Sequence, residues 1–154
     1  MSVHASPNRV SEEWETTWRK HGPWPVAGRP SCGLWDSDLV LRSVVIVAAS
    51  GVPVVAAGDW NEARAWDLDH PGNAGAEFFT KVRDAGLTDC CCPGDEDGPP
   101  THQASGQRGL HIDHVIATAS AAPHVHVTAL PTEFEAGPSD HRPVEFTIAA
   151  SGGV

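Results

Sequence analysis

Three short apolar runs, each adjoining a polar cluster, restrict the possible folds of this chain more than any other feature. Pro53–Ala57 leads directly into the tetrapeptide GDWN at Gly58–Asn61, Ile112–Ala117 carries an acidic residue near its start, and Val144–Ile148 follows the polar segment Ser139–Pro143. Runs of this length are typical of buried strands and are far too short to span a bilayer. Because strand ends present polar side chains to clefts, we predict three neighbouring central strands that share one site.

The remaining segments favour a mixture of helices and strands. Between Asp36 and Ser50 the pattern is ambiguous, because Val44–Val47 has strand propensity, but the length of the segment suits a helix better. The other predicted elements are a weak strand at Met1–Ala5, helices at Ser11–Lys20 and Asn73–Ala85, and strands at Leu87–Cys91 and Val125–Leu130. Because these elements do not alternate as regular βαβ units, the predicted fold class is α/β in the broad sense (α+β), arranged as a layered sandwich.

Length, charge and cysteine content narrow the function. The 154 residues fit one domain, which we place at residues 1–149, followed by a disordered tail at 150–154. Twenty acidic residues against ten basic ones give a net charge of −10, which disfavours nucleic acid as a partner but does not exclude it. The first residues lack the pattern of a signal peptide, no run could span a membrane, and the cysteines at 90–92 match no zinc or disulfide spacing. We therefore expect reduced thiols and a cytoplasmic location.

Two polar clusters each allow a functional and a structural interpretation. Asp59 and Asn61 can project together into a cleft, or they can form an Asx turn after the strand. Asp113 lies within an apolar strand, where a carboxylate is costly unless a histidine or a metal pairs with it; alternatively it faces water on an edge strand. Strand alternation places His111 on the face of Asp113 and His114 on the opposite face.

Two further clusters contain histidine. Asp140 and His141 precede the last strand, where they can contact a metal or a phosphate or simply form a polar loop. His124 and His126 share one strand face, as in some zinc sites, but no third ligand has a suitable spacing. The sequence therefore gives a zinc site at His124 and His126 little support.

The order of these pieces resembles a known family. GDWN at residues 58–61 follows a strand, Gly86–Asp89 follows a helix, His111–His114 opens a strand, and Ser139–Val144 precedes the final strand. The endonuclease/exonuclease/phosphatase superfamily, which has the deoxyribonuclease-I-like fold, shows a G-D-F-N-like turn, a G-L-x-D strand, an R-I-D-Y-like strand and an S-D-H-x-P-V terminus in this order. His4 is similar to the histidine of the family's N-x-H-L strand. The chain therefore resembles the C-terminal portion of that fold, incomplete at its N-terminus.

The resemblance implies hydrolysis of a phosphodiester or phosphomonoester by an activated water. Asp59 would orient or deprotonate that water, and Asn61 would donate to a phosphate oxygen. His141 would contact the phosphate while Asp113 holds it, and His4 would donate to the developing negative charge. Asn61, His4 and His141 would thus bind the phosphoester substrate, for which the family offers nucleic acid, phosphoinositide, sphingomyelin and small nucleotide esters.

The resemblance also implies Mg²⁺, or Mn²⁺, with Asp140 at the metal. The family's metal-binding glutamate, in a Q-E-like motif, has no counterpart in this sequence, and His111 stands where the family commonly has arginine. We therefore keep an alternative, in which the chain is a catalytically inactive truncated remnant or a binding module of the same fold. If the chain is active alone, Glu62 beside the turn is the acid expected to take over the metal.

An incomplete sandwich carries a physical expectation. A sheet that lacks its partner strands exposes apolar surface and an unpaired edge. We therefore expect this chain by itself to be marginally stable or to self-associate through this sheet edge, with little Mg²⁺-dependent activity.

Overall fold

Four strands form the central sheet of the structure, a computed structural model that describes residues 1–128 and 139–149. They are β1 (Ser2–His4), β2 (Val55–Asp59), β3 (Leu87–Asp89) and β4 (Asp113–Thr118). Their spatial order is β1-β2-β4-β3, with β1 parallel to β2 and the other neighbours antiparallel. The strands predicted at Pro53–Ala57 and Ile112–Ala117 are therefore confirmed as direct neighbours.

Three helices accompany this sheet. They are α1 (Glu12–His21), α2 (Asp36–Ala48) and α3 (Ala74–Asp84), and short 3-10 turns lie at Arg64–Leu68 and Ala122–His124. The helix start predicted at Ser11 is confirmed, because Ser11 Oγ accepts the backbone N–H of Trp14 at 3.3 Å. The ambiguous segment is the helix α2, in which Leu41 and Val44 are buried.

The two faces of the central sheet carry separate apolar clusters. Ala56 on β2 and Ile116 on β4 face the helices and pack in one cluster with Phe78 of α3. Val55 and Val115, their neighbours along the same strands, belong to the cluster on the opposite face. Successive residues along each strand thus point to opposite faces, and both faces are apolar because the sheet is covered on both sides. The layered α/β arrangement is thus confirmed, with helices on one face and a small second sheet on the other.

The predicted position of the last strand is wrong. The sequence predicts Val144–Ile148 as a third central strand, but β6 (Phe146–Ile148) pairs antiparallel with β5 (Val125–Val127) in the second sheet. Both sides of β2 and of β4 are already hydrogen-bonded to other strands, so neither offers an edge to β6. Phe146 instead packs onto the apolar cluster that includes Val115.

Some predictions concern residues that the structure does not describe. The strand predicted at Val125–Leu130 enters the range 129–138, and the predicted disordered tail is residues 150–154; both ranges lie outside the described residues. Within the described ranges, no helix is long and apolar enough to cross a membrane. In the same ranges β1 and β3 each have one strand partner, so self-association through a sheet edge stays a prediction.

Candidate functional site

The predicted site residues meet where β1, β2 and β4 lie side by side. In the register of the sheet, Asp59 on β2 is the direct partner of His4 on β1 and of Asp113 on β4. Side chains of directly opposed residues project from the same face of a sheet. His4 Nδ1 accordingly lies 3.6 Å from Asp59 Oδ2. Three of the predicted residues therefore form one row across neighbouring strands.

The turn after β2 fixes the orientation of Asp59. Asp59 Oδ1 accepts the backbone N–H of Asn61 at 2.8 Å, and Oδ2 accepts Asn61 Nδ2 at 2.9 Å. Nδ2 also donates to the carbonyl of Ala5 at 2.6 Å, which ties the end of β1 to the turn. The tetrapeptide is thus an Asx turn and also presents Asp59 to the cleft. Because both hydrogens of Nδ2 are engaged, Asn61 holds Asp59 in this structure and has no free hydrogen to donate to a phosphate.

Two backbone conformations make this arrangement possible. Gly58 has a φ of 142°, and a Cβ at this position would lie only 2.1 Å from the carbonyl oxygen of Val3. Asn61 has a φ of 50°, in the left-handed region that asparagine tolerates better than most residues. The glycine therefore allows β1 to approach β2 closely, and the asparagine allows the turn to fold back onto Asp59.

The carboxylate of Asp113 has the histidine partner that its burial requires. Asp113 Oδ2 accepts a hydrogen bond from His141 Nδ1 at 3.0 Å, and the Asp113 side chain is 15% exposed. This bond places the proton of a neutral His141 ring on Nδ1 and leaves Nε2 for another partner. The pairing of Asp113 with a histidine is therefore confirmed, whereas the catalytic roles of both residues stay predictions.

Thr101 belongs to the site, although the sequence reasoning assigns it no role. It is 1% exposed, and its Oγ1 accepts the backbone N–H groups of residues 112 and 113, both at 3.1 Å. Its carbonyl accepts the backbone N–H of Arg142 at 2.7 Å. One residue thus joins the start of β4 to the segment that carries His141. The signal that could have found it is the Thr-His dipeptide shortly before the strand.

The acidity of Asp59 is shifted in the direction that suits a general base. Burial raises the pKa of Asp59 above its usual value of 3.8, and the charge of Asp113 raises it further, against the opposing effects of the Asn61 N–H, His141 and His4. Two carboxylates on directly opposed residues repel each other, and a proton or a bound cation relieves this repulsion. The repulsion therefore makes Asp59 a better proton acceptor, and it also gives the pair of carboxylates an affinity for a cation.

Asp140, the predicted metal ligand, lies beside two histidines. His102, Asp140 and His141 each offer one ligand atom, and these atoms lie within 4.8 Å of one another. His102 Nε2 is 3.3 Å from Asp140 Oδ2, and the ring centroids of His102 and His141 are 4.7 Å apart. One carboxylate and two imidazoles are an ordinary ligand set for a divalent ion, and the Asp59–Asp113 pair adds acidic oxygen atoms. The residues at this site therefore fit a divalent cation.

A second group of possible ligands, Cys92, His111 and His114, is buried in the core. His114 Nδ1 bonds to a carboxylate oxygen of Asp89 at 2.8 Å, and Nε2 bonds to the carbonyl of Glu62 at 2.9 Å. Because both partners are acceptors, both ring nitrogens must carry hydrogen, and neither has a lone pair for a metal. This group therefore stabilises the fold as it stands.

The environment of His111 differs from the prediction. Because β4 begins at Asp113, His111 precedes the strand, and its ring lies 4.8 Å from that of His114 instead of sharing the face of Asp113. Among the residues that the structure describes, no group of three metal-binding side chains includes His124 or His126. The zinc alternative at those two histidines therefore gains no support.

Glu62 is not available to a metal. It is 0% exposed, and it accepts hydrogen bonds from both terminal nitrogens of Arg29, one at 2.9 Å, and from Ser37 Oγ. Asp38 accepts a further bond from Arg29 Nε at 3.2 Å. The expectation that Glu62 takes over the metal is therefore wrong, because its carboxylate neutralises a buried guanidinium. The network ties the loop of Arg29 and the start of α2 to the residue directly after Asn61.

A cleft of about 540 Å³ opens beside the site. Asn61 and His102 line it on the side of the strand ends, and Trp66, His70 and Arg108 contribute elsewhere to its walls. Its volume is within the range of small-molecule sites. A ligand in this cleft would lie next to the turn that holds Asp59.

The family of the chain follows from a direct comparison. Residues 3–141 match the model of the Endonuclease/Exonuclease/phosphatase family, so the chain belongs to that family. The family and the fold class expected from the motifs are thus confirmed. No curated protein matches the chain at a significant level.

Two solved structures are similar in fold. A 3′ phosphatase from Neisseria, bound to a product DNA hairpin, is 22% identical with a TM-score of 0.56 over 75% of this chain and 52% of that chain. A 3′–5′ exonuclease from Neisseria meningitidis is 23% identical with a TM-score of 0.54 over 73% of this chain and 52% of that chain. The chain spans about half the length of these structures.

Proposed function

We propose that the chain is a divalent-metal-dependent phosphoester hydrolase, in which an activated water attacks phosphorus. The observation that carries the proposal is the 3.0 Å hydrogen bond between Asp113 and His141. It forms beside Asp59, which burial makes a stronger base. Family membership supports the same class of reaction.

Asp59 is the proposed general base. It accepts a proton from water while the water oxygen bonds to phosphorus and the ester P–O bond breaks; the electron pair of that bond leaves with the ester oxygen, which takes up a proton from solvent. Asn61 acts as a positioning residue, because its two hydrogen bonds keep both carboxylate oxygens of Asp59 in one orientation. The raised pKa of Asp59 increases its affinity for the proton.

His141 and His4 are the proposed donors to the phosphoryl group. A protonated His141 donates Nε2–H to a phosphoryl oxygen, and Asp113 stabilises the imidazolium through Nδ1–H. The His4 side chain is 82% exposed on the other side of Asp59 and can swing toward the same oxygen atoms. Both donors act on charge that grows as the transition state forms.

Asp140 and the neighbouring His102 would hold the divalent ion, for which the resemblance suggests Mg²⁺ or Mn²⁺. Such an ion supplies charge stabilisation to phosphoryl oxygens and lowers the pKa of bound water. Because the chain supplies the ligands, the ion and its ligands can be varied separately in an experiment.

The substrate is proposed as a phosphodiester or phosphomonoester whose remaining groups occupy the cleft lined by Asn61 and His102. One similar structure is a phosphatase that holds a DNA product, so nucleic acid is a candidate substrate here. The net charge of −10 disfavours binding of a nucleic-acid duplex through its phosphate backbone.

The four cysteines are free thiols, which supports the proposed cytoplasmic location.

The test is hydrolysis of bis(p-nitrophenyl) phosphate and p-nitrophenyl phosphate by the full chain, with each divalent ion and with a chelator. We expect ion-dependent turnover that His141→Ala reduces by roughly 10²- to 10⁴-fold. The matched control is His126→Ala, because His126 is an exposed histidine on β5. Circular dichroism shows whether each variant is folded. Turnover that survives His141→Ala in the folded protein contradicts the proposal.

The second candidate, a binding module without catalysis, is favoured by one observation. Glu62, the glutamate adjoining the turn, is committed to Arg29 and cannot replace the family's metal-binding glutamate. This candidate is supported if the folded chain binds a phosphate ester but turns it over with none of the ions.

A further inference from the structure

His102 is brought into the site by backbone pairing. The backbone of His102 forms an isolated β-bridge with that of His141, and Gln103 N–H donates to the carbonyl of Asp140 at 2.9 Å. These contacts place the His102 ring against Asp140 and His141. The arrangement is built by the main chain and does not depend on a chance approach of flexible side chains.

The two rings are prepared for a ligand in different ways. His141 is held through Nδ1 by Asp113, which leaves Nε2 free in the carboxylate–histidine arrangement common at metal sites. His102 uses Nε2 toward Asp140, while its buried Nδ1 has no hydrogen-bond partner among the residues that the structure describes. Because the two ring nitrogens point in diverging directions, Nε2 is the atom of His102 that would bind a cation beside Asp140.

The spacing also suits a metal ion. His102 Nε2 and Asp140 Oδ2 are 3.3 Å apart. Two ligands of a tetrahedral ion with bonds of about 2.1 Å lie roughly 3.4 Å apart. All three ligand atoms lie within 4.8 Å of one another, so His141 can reach the same ion through a small rotation.

We propose that His102, Asp140 and His141 together bind a divalent ion of the Zn²⁺ class, including Co²⁺, in preference to Mg²⁺. Imidazole nitrogen suits zinc and its neighbours in the first row, whereas Mg²⁺ takes oxygen ligands and retains its water. The inference deepens the proposed function and rests on it, since the ion lies in the same cleft. With His141 as a third ligand, such an ion would supply the charge stabilisation that His141 Nε2–H supplies when His102 and Asp140 alone hold an ion.

The test measures binding without any substrate. Zn²⁺ and Mg²⁺ are titrated separately into the full chain by calorimetry, and Co²⁺ is followed by its visible absorption. We expect one Zn²⁺ per chain, bound more tightly than Mg²⁺. His102→Ala should weaken Zn²⁺ binding by roughly 10- to 100-fold and remove the Co²⁺ bands. Asp140→Asn, at a side chain that is 59% exposed, should have the same effect without endangering the fold.

Two control variants separate this site from other zinc ligands. His126→Ala removes an exposed histidine on β5, and Cys92→Ser removes the buried thiol of the other ligand group. Both should retain Zn²⁺ binding. The inference is overturned if the folded His102→Ala and Asp140→Asn variants bind Zn²⁺ as the wild type does, if Cys92→Ser abolishes binding, or if Mg²⁺ binds as tightly as Zn²⁺.

The two proposals can fail independently. If Zn²⁺ binding depends on His102 but the wild type turns over no phosphoester with any ion, the proposed function is wrong and the metal site stands. If the folded His102→Ala variant binds Zn²⁺ as the wild type does while ion-dependent turnover is retained, the metal site is wrong and the hydrolase stands.

Discussion

The Glu62→Gln variant should show whether the carboxylate of Glu62 stabilises the fold or binds a metal. Glu62 accepts hydrogen bonds from Arg29 and Ser37 and has no access to solvent. Glutamine preserves the shape but removes the negative charge and turns an N–H₂ group toward the guanidinium or the hydroxyl. The buried cation then retains Asp38, whose Oδ1 is 3.2 Å from Arg29 Nε. The expected consequence is a loss of stability with no loss of the metal site.

The magnitude follows from the partners that remain. Removing one partner of a buried ion pair costs about 3–5 kcal/mol, and the remaining Asp38 places this case near the lower value. In a chain of this length each kcal/mol shifts the melting temperature by about 2–4 °C, so a cost of about 3 kcal/mol lowers it by roughly 6–12 °C. Replacing both Arg29 and Glu62 by apolar residues should cost less than the sum of the single changes.

The assay is thermal unfolding followed by circular dichroism, with divalent-ion binding measured well below the melting temperature. Glu12→Gln, on the exposed start of α1, is the matched control for loss of one negative charge. The reasoning is refuted if Glu62→Gln melts within about 2 °C of the wild type and yet no longer binds a divalent ion.

Three further changes have definite expected outcomes. Asp59→Asn should lower kcat by roughly 10²- to 10⁴-fold at saturating substrate, since the proposed base is lost. Gly58→Ala should destabilise the chain by more than about 1 kcal/mol in urea unfolding, because its Cβ meets β1 and its φ is positive, whereas Gly94→Ala should be neutral. Although burial opposes both charges, mutual attraction raises the pKa of His114 and lowers the pKa of Asp89. The protonated His114 therefore adds stability that is lost as the pH rises above 6.5, and the ionised Asp89 adds stability that is lost as the pH falls below 3.8. Melting temperatures measured across pH should show both losses. The Asp89→Asn variant should show neither.

The residues that sequence reasoning placed correctly are those for which local chemistry leaves few solutions. A carboxylate in an apolar strand needs a hydrogen-bond partner, and Asp113 accepts a hydrogen bond from His141. The helix predicted at Asn73–Ala85 has Phe78, Phe79 and Val82 buried, because Val82 lies four and three positions after the two phenylalanines and shares one helix face with them. These inferences need only the periodicity of a helix or strand and the cost of burying a charge.

The features that it missed depend on contacts between distant segments. Phe146 pairs in a second sheet because both sides of β2 and of β4 are already hydrogen-bonded to other strands, and no property of residues 144–148 reveals this. Arg29 and Glu62 lie 33 positions apart, and their pairing explains why an acidic residue beside the site is structural. His102 reaches the site through backbone bridges that have no sequence signature.

The central claim is that Asp113 and His141 act as one unit in phosphoester cleavage, and a double-mutant cycle on kcat/KM tests it most directly. Asp113→Ala, His141→Ala and the double variant are compared with the wild type on bis(p-nitrophenyl) phosphate, each after its fold is verified by circular dichroism. If the carboxylate works through the imidazole, the double variant is no slower than the slower single variant. Losses that multiply in the double variant would show that the two side chains act separately and would contradict the account.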